Sequence, residues 1–133
     1  MSTMGGCLCG AIRYEVDGEL TNISNCHCGM CRQQSGAAFS TFAAIDSDGF
    51  QWVSGEEQIS QYESSPGGFR IFCKVCGSIL GVVEDGSVTM ISLGSVSGDP
   101  GVRPAEHIFV GSKAPWYEIR DELPQYLEWP PSD

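Results

Sequence analysis

Seven cysteines constrain this chain more than any other feature of its sequence. They form three clusters, Cys7 and Cys9, then Cys26, Cys28 and Cys31, then Cys73 and Cys76. An odd number argues against a set of disulfides, and cysteines that are merely buried scatter along a chain instead of gathering in pairs. Neighbouring thiolates on a tight turn can converge on one ion at about 2.3 Å. The clusters therefore predict metal binding.

Seven ligands divide naturally into four and three, which predicts two Zn²⁺ ions per chain. The two isolated pairs, Cys7 with Cys9 and Cys73 with Cys76, can enclose one tetrahedral ion, and such a closed site is structural. The triplet Cys26, Cys28 and Cys31 supplies only three ligands and leaves one position open for water or substrate, as in catalytic zinc sites.

Two alternatives for the triplet stay open at this point. An iron–sulfur cluster also uses cysteine thiolates, and the spacing of the triplet does not decide between the two kinds of centre. A fourth ligand, from His27 or His107, would close the site and make it structural. With zinc and three thiolates the centre carries one net negative charge, which suits holding an incoming thiolate better than ionising water.

Charge and length exclude several classes of protein. The 133 residues suit a single domain over 1–133, with a core from about 5 to 120 and an acidic tail over 121–133. Lys and Arg number 7 against 17 Asp and Glu, a net charge of −10 that argues against nucleic-acid binding. No apolar run is long enough for a transmembrane helix, and the first ten residues do not resemble a signal peptide. We expect a soluble, cytoplasmic protein with no membrane partner.

Short apolar runs between glycine and proline turns predict a mainly β fold. The predicted strands are residues 11–16, 39–45, 50–53, 58–62, 68–72, 79–83, 88–93 and 107–110. Residues 29–38 predict one short helix directly after Cys28. The start of this helix would direct backbone N–H groups toward the cysteine triplet and favour ionised sulfur.

Five motifs in order carry a resemblance to a known family. They are residues 6–10 (GCLCG) with Tyr14, residues 26–32 (CHCGMCR) with Ser35 and Gly36, residues 72–78 (FCKVCGS), residues 106–110 (EHIFV) and residues 113–117 (KAPWY). Together they resemble the glutathione-dependent formaldehyde-activating enzymes, also called the centromere protein V domain family. The resemblance extends from residue 6 to about residue 126.

The resemblance implies an Mss4-like fold of coiled antiparallel sheets around zinc. It also implies one zinc at Cys7, Cys9, Cys73 and Cys76 and a second at Cys26, Cys28 and Cys31. The implied activity is that of a carbon–sulfur lyase which joins glutathione, or another thiol, to formaldehyde or a similar small aldehyde.

The alternative is a non-catalytic zinc module that binds a protein or a small ligand. The chain could act as a monomer or a homodimer. Methionine sulfoxide reduction, known on a similar fold, needs a free cysteine, and none remains.

Several residues beside the cysteines have two interpretations. We place His27 with the three cysteines in the catalytic group, as a proton shuttle or a second-shell residue, with simple packing as the alternative. We expect His107 to be a hydrogen-bonded structural residue. The basic residues Arg32, Arg70 and Lys74 could attract a carboxylate or balance thiolate charge, and we prefer charge balance for the last two. The tryptophans Trp52, Trp116 and Trp129 are expected in the core or in packing contacts.

Overall fold

The computed structural model describes residues 2–131, and within that range it contains ten strands and one α-helix. The elements are β1 (Ser2–Gly6), β2 (Arg13–Asp17), β3 (Thr21–Cys26), α1 (Gly29–Ser35), β4 (Ser40–Ala44), β5 (Phe50–Ser54), β6 (Ile59–Ser65), β7 (Gly68–Cys73), β8 (Ile79–Glu84), β9 (Ser87–Ser92) and β10 (Glu106–Ile108). Four short 3₁₀ turns lie at Ser47–Gly49, Glu56–Gln58, Leu93–Ser95 and Val110–Ser112. No helix among these residues has the length and apolar character required to cross a bilayer.

The strands form two sheets. Strands β1, β2 and β5 make a three-stranded antiparallel sheet, and the other seven lie in the order β10-β3-β4-β9-β8-β7-β6. Every neighbouring pair in the larger sheet is antiparallel except β10 and β3, which run parallel. The predicted fold class, mainly β with antiparallel sheets and one short helix, is confirmed.

Two clusters of buried side chains hold the sheets together. The larger includes Tyr14 and Val16 of the small sheet and Ile71, Leu80 and Ile91 of the large sheet. Because β-strands alternate the side to which their residues point, Tyr14 and Val16 of β2, and Ile71 and Cys73 of β7, face this core together. A smaller cluster combines Cys26 and Cys31 with Phe42, Val82 and Ile108. Because Cys7 and Cys73 belong to the larger cluster, four of the seven candidate metal ligands are also core residues.

Each of the eight predicted strands overlaps an observed one, but β1 and β3 escaped prediction. Strand β1 ends in two glycines, and β3 is rich in Asn and Ser, residue types that are depleted in strands. β1 is a strand because it pairs with β2, and β3 is a strand because it pairs with β4 and β10. The helix is shorter than predicted because Gly36 adopts a left-handed φ of 69° and its N–H bonds the Arg32 carbonyl at 2.8 Å.

The segment after β10 lies against that strand. Tyr126 donates its N–H to the carbonyl of His107 at 2.9 Å, and Val110 donates to the carbonyl of Tyr126 at 3.0 Å. Most residues from 121 to 131 are exposed, and residues 132–133 lie outside the described part of the chain.

The three tryptophans, expected in the core or in packing contacts, have different settings. Trp52 packs against the larger core cluster. Trp116 and Trp129 are 70% and 68% exposed, so neither is a core residue, although the ring of Trp129 lies edge-on to Phe109 at 5.1 Å. Both follow β10, where the chain runs over the outside of the sheet.

Gly81 lies where β8 passes closest to β9, and we expect Gly81→Ala to destabilise the fold. A Cβ at this position would collide with the carbonyl oxygen of Met90, and crowding of this kind costs about 1–3 kcal/mol. Gly94 is the control, because a Cβ there meets open space and its φ is not left-handed. Gly94→Ala should leave the free energy of unfolding unchanged or raise it by up to about 1 kcal/mol. Urea titrations that gave both variants equal stability would contradict this packing.

Candidate metal centres

Cys7, Cys9, Cys73 and Cys76 converge into one group, here called the four-cysteine cluster. Their sulfurs all lie within 4.8 Å of one another, although the two pairs are more than sixty residues apart in sequence. The Sγ atoms of Cys7 and Cys9 are 3.6 Å apart, and those of Cys9 and Cys73 are 3.8 Å apart. Sulfurs at the corners of a tetrahedron with bonds of about 2.3 Å to zinc are separated by about 3.8 Å. The group therefore has the dimensions of one tetrahedral thiolate site.

Two similar turns present these sulfurs. After β1, Gly10 donates its N–H to the carbonyl of Cys7 at 3.2 Å, and after β7, Gly77 donates to the carbonyl of Cys73 at 2.8 Å. Both glycines have left-handed φ angles, 84° and 79°. Glycine adopts this conformation without steric cost, so each turn can fold its two cysteine side chains to the same side.

Polar hydrogens beside Cys7 and Cys76 favour the thiolate forms of these two residues. The N–H of Ile12 points at the sulfur of Cys7 at 3.2 Å. The hydroxyl of Ser78 lies 3.2 Å from the sulfur of Cys76, and this contact is the main cause that lowers the pKa of the Cys76 thiol to about 5. Metals bind the thiolate and not the thiol, so these donors support the chemistry that the spacing predicts.

Cys26, Cys28 and Cys31 form a second group, here called the three-cysteine cluster, with all sulfurs within 4.8 Å of one another. Cys26 ends β3, Cys28 caps α1, and Cys31 lies in the first turn of that helix. The N–H of Cys31 donates to the sulfur of Cys28 at 3.3 Å, so the predicted direction of N–H groups toward the triplet is confirmed. Cys28 is the least buried of the three.

Repulsion between thiolates in the three-cysteine cluster requires a nearby cation. The contact with Cys26 lowers the pKa of Cys28, while the same contact raises that of Cys26. The positive charge of Arg70 also lowers the pKa of Cys28. Several like charges this close cannot all ionise without compensation. A divalent ion would supply it, and three cysteine donors are a set that zinc accepts.

His27 and His107 form a buried hydrogen-bonded chain with Asp121. His27 Nε2 lies 2.8 Å from His107 Nδ1, and His107 Nε2 lies 2.9 Å from a carboxylate oxygen of Asp121. The hydrogen bond from His107 lowers the pKa of Asp121, so its carboxylate only accepts. His107 therefore carries its proton on Nε2, and His27 donates from its own Nε2. His107 is hydrogen-bonded as expected, and its structural role stays a prediction.

The ring of His27 has a buried nitrogen that finds no partner within residues 2–131. His27 is fully buried, and within residues 2–131 its Nδ1 has no hydrogen-bond partner. Burial is the main cause that lowers the pKa of His27 to about 4, so the ring is neutral at pH 7. In the described part of the chain neither histidine joins the group of three sulfurs. The geometry therefore favours a three-ligand site over one closed by histidine.

Arg70 contacts the three-cysteine cluster directly. Its Nη1 and Nη2 lie 3.7 and 3.6 Å from the sulfur of Cys31, and its Nη1 donates to the Gln34 side chain at 2.8 Å. The charge-balancing role expected for Arg70 fits these contacts.

Arg32, by contrast, has a buried Nε with no hydrogen-bond partner within residues 2–131. Lys74 is exposed on the turn of the four-cysteine cluster.

A cleft of about 630 Å³ opens beside the three-cysteine cluster. Helix α1 forms one wall, and β6, β7 and the start of β8 form the other. Its lining residues are Met30, Gln33, Gln34, Tyr62, Ser64, Arg70, Phe72, Gly77 and Ile79. Sequence analysis missed this cleft and also missed Asp121, because no local pattern marks residues that come together only across strands.

Comparison with protein families agrees with the motifs. Residues 2–112 match the family of glutathione-dependent formaldehyde-activating enzymes. The chain belongs to that family. The match begins before the first motif and ends at residue 112, so the segment 113–117 that was counted among the motifs lies beyond it.

Two individual proteins show how far the likeness extends. A Schizosaccharomyces pombe protein described as an uncharacterized lyase is 38% identical over 76 residues. That segment is 57% of this chain and 53% of the yeast protein, so the chain spans about half the length of that relative. A crystal structure of a Rhodobacter sphaeroides protein superimposes with a TM-score of 0.57 at 22% identity, over 72% of this chain and 89% of the other. This second likeness shows the fold alone.

A double-mutant cycle tests the buried histidine pair. His107→Leu should lower the free energy of unfolding by about 1–3 kcal/mol, because it leaves the Nε2–H of His27 buried without an acceptor. Adding His27→Leu removes that unpaired group, so the double variant should be less destabilised than the two single variants added together. Urea denaturation in the presence of zinc measures all four proteins. Strictly additive losses would mean that the two rings are not coupled.

Proposed function

We propose that this chain is a zinc-dependent carbon–sulfur lyase that forms and cleaves the adduct of a thiol with a small aldehyde, in the manner of S-(hydroxymethyl)glutathione synthase. The substrates would be glutathione or a related thiol, together with formaldehyde or a similar aldehyde. Membership of the family and the lyase description of the yeast relative support the reaction class. The observation that carries the proposal is the division of seven sulfurs into a closed group of four and an incomplete group of three.

The two groups would have different roles. In the proposal, Cys7, Cys9, Cys73 and Cys76 hold a structural zinc, since four donors complete a tetrahedron. Cys26, Cys28 and Cys31 hold a second zinc with one position free, and a site that serves only the fold gains nothing from a missing ligand. Zinc bound there would hold a substrate thiol as its thiolate, which is the reactive form.

The bond changes are simple. The thiolate sulfur attacks the carbonyl carbon, a C–S bond forms, and the carbonyl π pair moves to oxygen, which takes up a proton. The reverse sequence cleaves the adduct. Thiolate addition to an unhindered aldehyde is easy in water, so the enzyme would contribute mainly proximity and a larger thiolate fraction.

Two neighbours of the three-cysteine cluster would support it. Arg70 donates toward the sulfur of Cys31 and so compensates part of the cluster's negative charge. His27 enters the proposal as a positioning residue, because it is fully buried and held by His107 while it separates two of the ligands in sequence. The hydrogen-bonded chain to Asp121 fixes the orientation of its ring.

Paired cysteine variants test the division of roles. Cys76→Ser should abolish folding, because zinc binding of this kind contributes about 10–16 kcal/mol of apparent free energy against a total stability of about 5–15 kcal/mol. Cys28→Ser removes one sulfur from the other cluster, so it should lower the metal content from two zinc ions to one and leave a folded protein. Elemental analysis and circular dichroism measure both outcomes, and elemental analysis also separates zinc from iron. One zinc in the wild type, unchanged in Cys28→Ser, would contradict the scheme.

Substrate profiling tests the reaction. Exchange NMR with ¹³C-formaldehyde and glutathione should show the zinc-loaded protein accelerating adduct formation above the spontaneous rate. Cys28→Ser should return the exchange to the spontaneous rate, whereas Arg103→Gln, a change at an exposed ion pair, should not. A folded, fully zinc-loaded protein that accelerates no thiol and aldehyde pair would exclude the lyase and leave the non-catalytic zinc module as the better hypothesis.

A further inference from the structure

The guanidinium of Arg70 is held beside the three-cysteine cluster by side chains from three other elements. Its Nε donates to the hydroxyl of Ser64 on β6 at 3.2 Å, and its Nη1 donates to the side-chain oxygen of Gln34 on α1 at 2.8 Å. Its Cζ lies 5.9 Å from the centre of the Phe42 ring on β4, which is within the range of a cation–π contact. Side chains of the fold therefore fix the position of this charge.

None of these three partners is an anion. A hydroxyl, an amide and an aromatic ring leave the charge of an arginine in place, whereas a carboxylate would cancel it. Within residues 2–131 no carboxylate forms an ion pair with Arg70. Its remaining contact is the sulfur of Cys31, which lies 3.7 Å from Nη1 and 3.6 Å from Nη2. The counter-charge of Arg70 is therefore the three-cysteine cluster.

A count of charges shows what this cation changes. A divalent ion held by Cys26, Cys28 and Cys31 as thiolates has one net negative charge, and Arg70 brings the sum to zero. A neutral donor at the open position leaves that sum unchanged, whereas an anionic donor adds one negative charge. Without Arg70 the same anionic donor would join a site that is already negative, and charges this close repel strongly even at an effective dielectric constant of about 20. Arg70 therefore lowers the cost of an anionic donor in particular.

We propose that Arg70 selects an anionic donor, a thiolate above all, for the open position of the three-cysteine site. It acts through its charge and through Cys31, without bonding the donor, so it is a positioning residue. Gln34 supports it, since its side-chain oxygen holds Nη1 without cancelling the charge. The inference rests on the proposed function, because it explains why the site would take a substrate thiol as its thiolate in preference to a neutral ligand.

Two probes of different charge test this selection without turnover. Cobalt(II) in the three-cysteine site, with zinc kept in the four-cysteine cluster, has absorption bands that change when the open position is filled. Mercaptoethanol binds there as a thiolate, releases its proton to the buffer and carries no carboxylate, whereas imidazole binds as a neutral molecule. Titrations at one fixed pH give both dissociation constants. In Arg70→Gln the constant for mercaptoethanol should rise at least about tenfold, while that for imidazole should stay within about twofold.

Two further variants separate charge from structure. Arg70→Lys keeps the charge and loses the planar fork, so it should lose less thiol affinity than Arg70→Gln. Gln34→Glu has nearly the same shape and keeps an acceptor for Nη1, but its carboxylate would pair with the guanidinium. It should weaken mercaptoethanol binding by about three- to tenfold and leave imidazole binding unchanged. Gln33→Glu is the control, because it makes the same change at an exposed position without a hydrogen bond to Arg70 and should alter neither constant by more than about twofold.

The outcomes separate this inference from the proposed function. Unchanged thiol affinity in Arg70→Gln, equal losses for both probes, or equal effects of Gln33→Glu and Gln34→Glu would overturn the selection by Arg70 even in an active lyase. If Arg70→Gln does not hold cobalt, Gln34→Glu decides, because it keeps the arginine. A loss of thiol affinity that follows the charge of Arg70, in a protein that accelerates no thiol and aldehyde reaction, would confirm the selection and contradict the lyase.

Discussion

Convergence of sulfur atoms from distant strands is the constraint on which this structure depends. The small sheet packs on the large sheet, and this places the turn after β1 next to the end of β7. Cys7, Cys9, Cys73 and Cys76 form one group there. The larger cluster of buried side chains contains twelve residues, which is a small core for a chain of 133 residues. Ligation by four thiolates would add a cross-link between the sheets, and its free energy would be folding free energy.

The second group of sulfurs has a different setting. It joins the end of β3 to the cap of α1, so its geometry depends on one short loop and not on two distant turns. Around it lie a buried histidine pair, an arginine shared with the cleft and part of the smaller core cluster. Cys26 and Cys31 are buried among these neighbours, whereas Cys28 is only partly buried.

Family membership and fold do not by themselves define a reaction, since one fold can serve many activities. For this chain, the chemistry has to come from the incomplete group of sulfurs and from what the adjacent cleft admits. The residues that line the cleft include no acidic residue, although the chain carries 17 Asp and Glu. Arg70 connects the cleft with the three-cysteine cluster, because its guanidinium lines the cleft and lies 3.6 Å from the sulfur of Cys31.

The sequence by itself determined the three cysteine clusters, the mainly β architecture and the helix after Cys28. These features depend on local spacing and alternation, and short range is where sequence patterns are reliable. Only the tertiary structure decided that β1 and β3 are strands, that His107 joins His27 to Asp121, and that Arg70 reaches Cys31. His107 is 80 positions from His27 and 14 from Asp121, and Arg70 is 39 positions from Cys31, so sheet pairing and register brought these residues together. No local pattern encodes such register, because it is set by which faces of the strands pack into the common core.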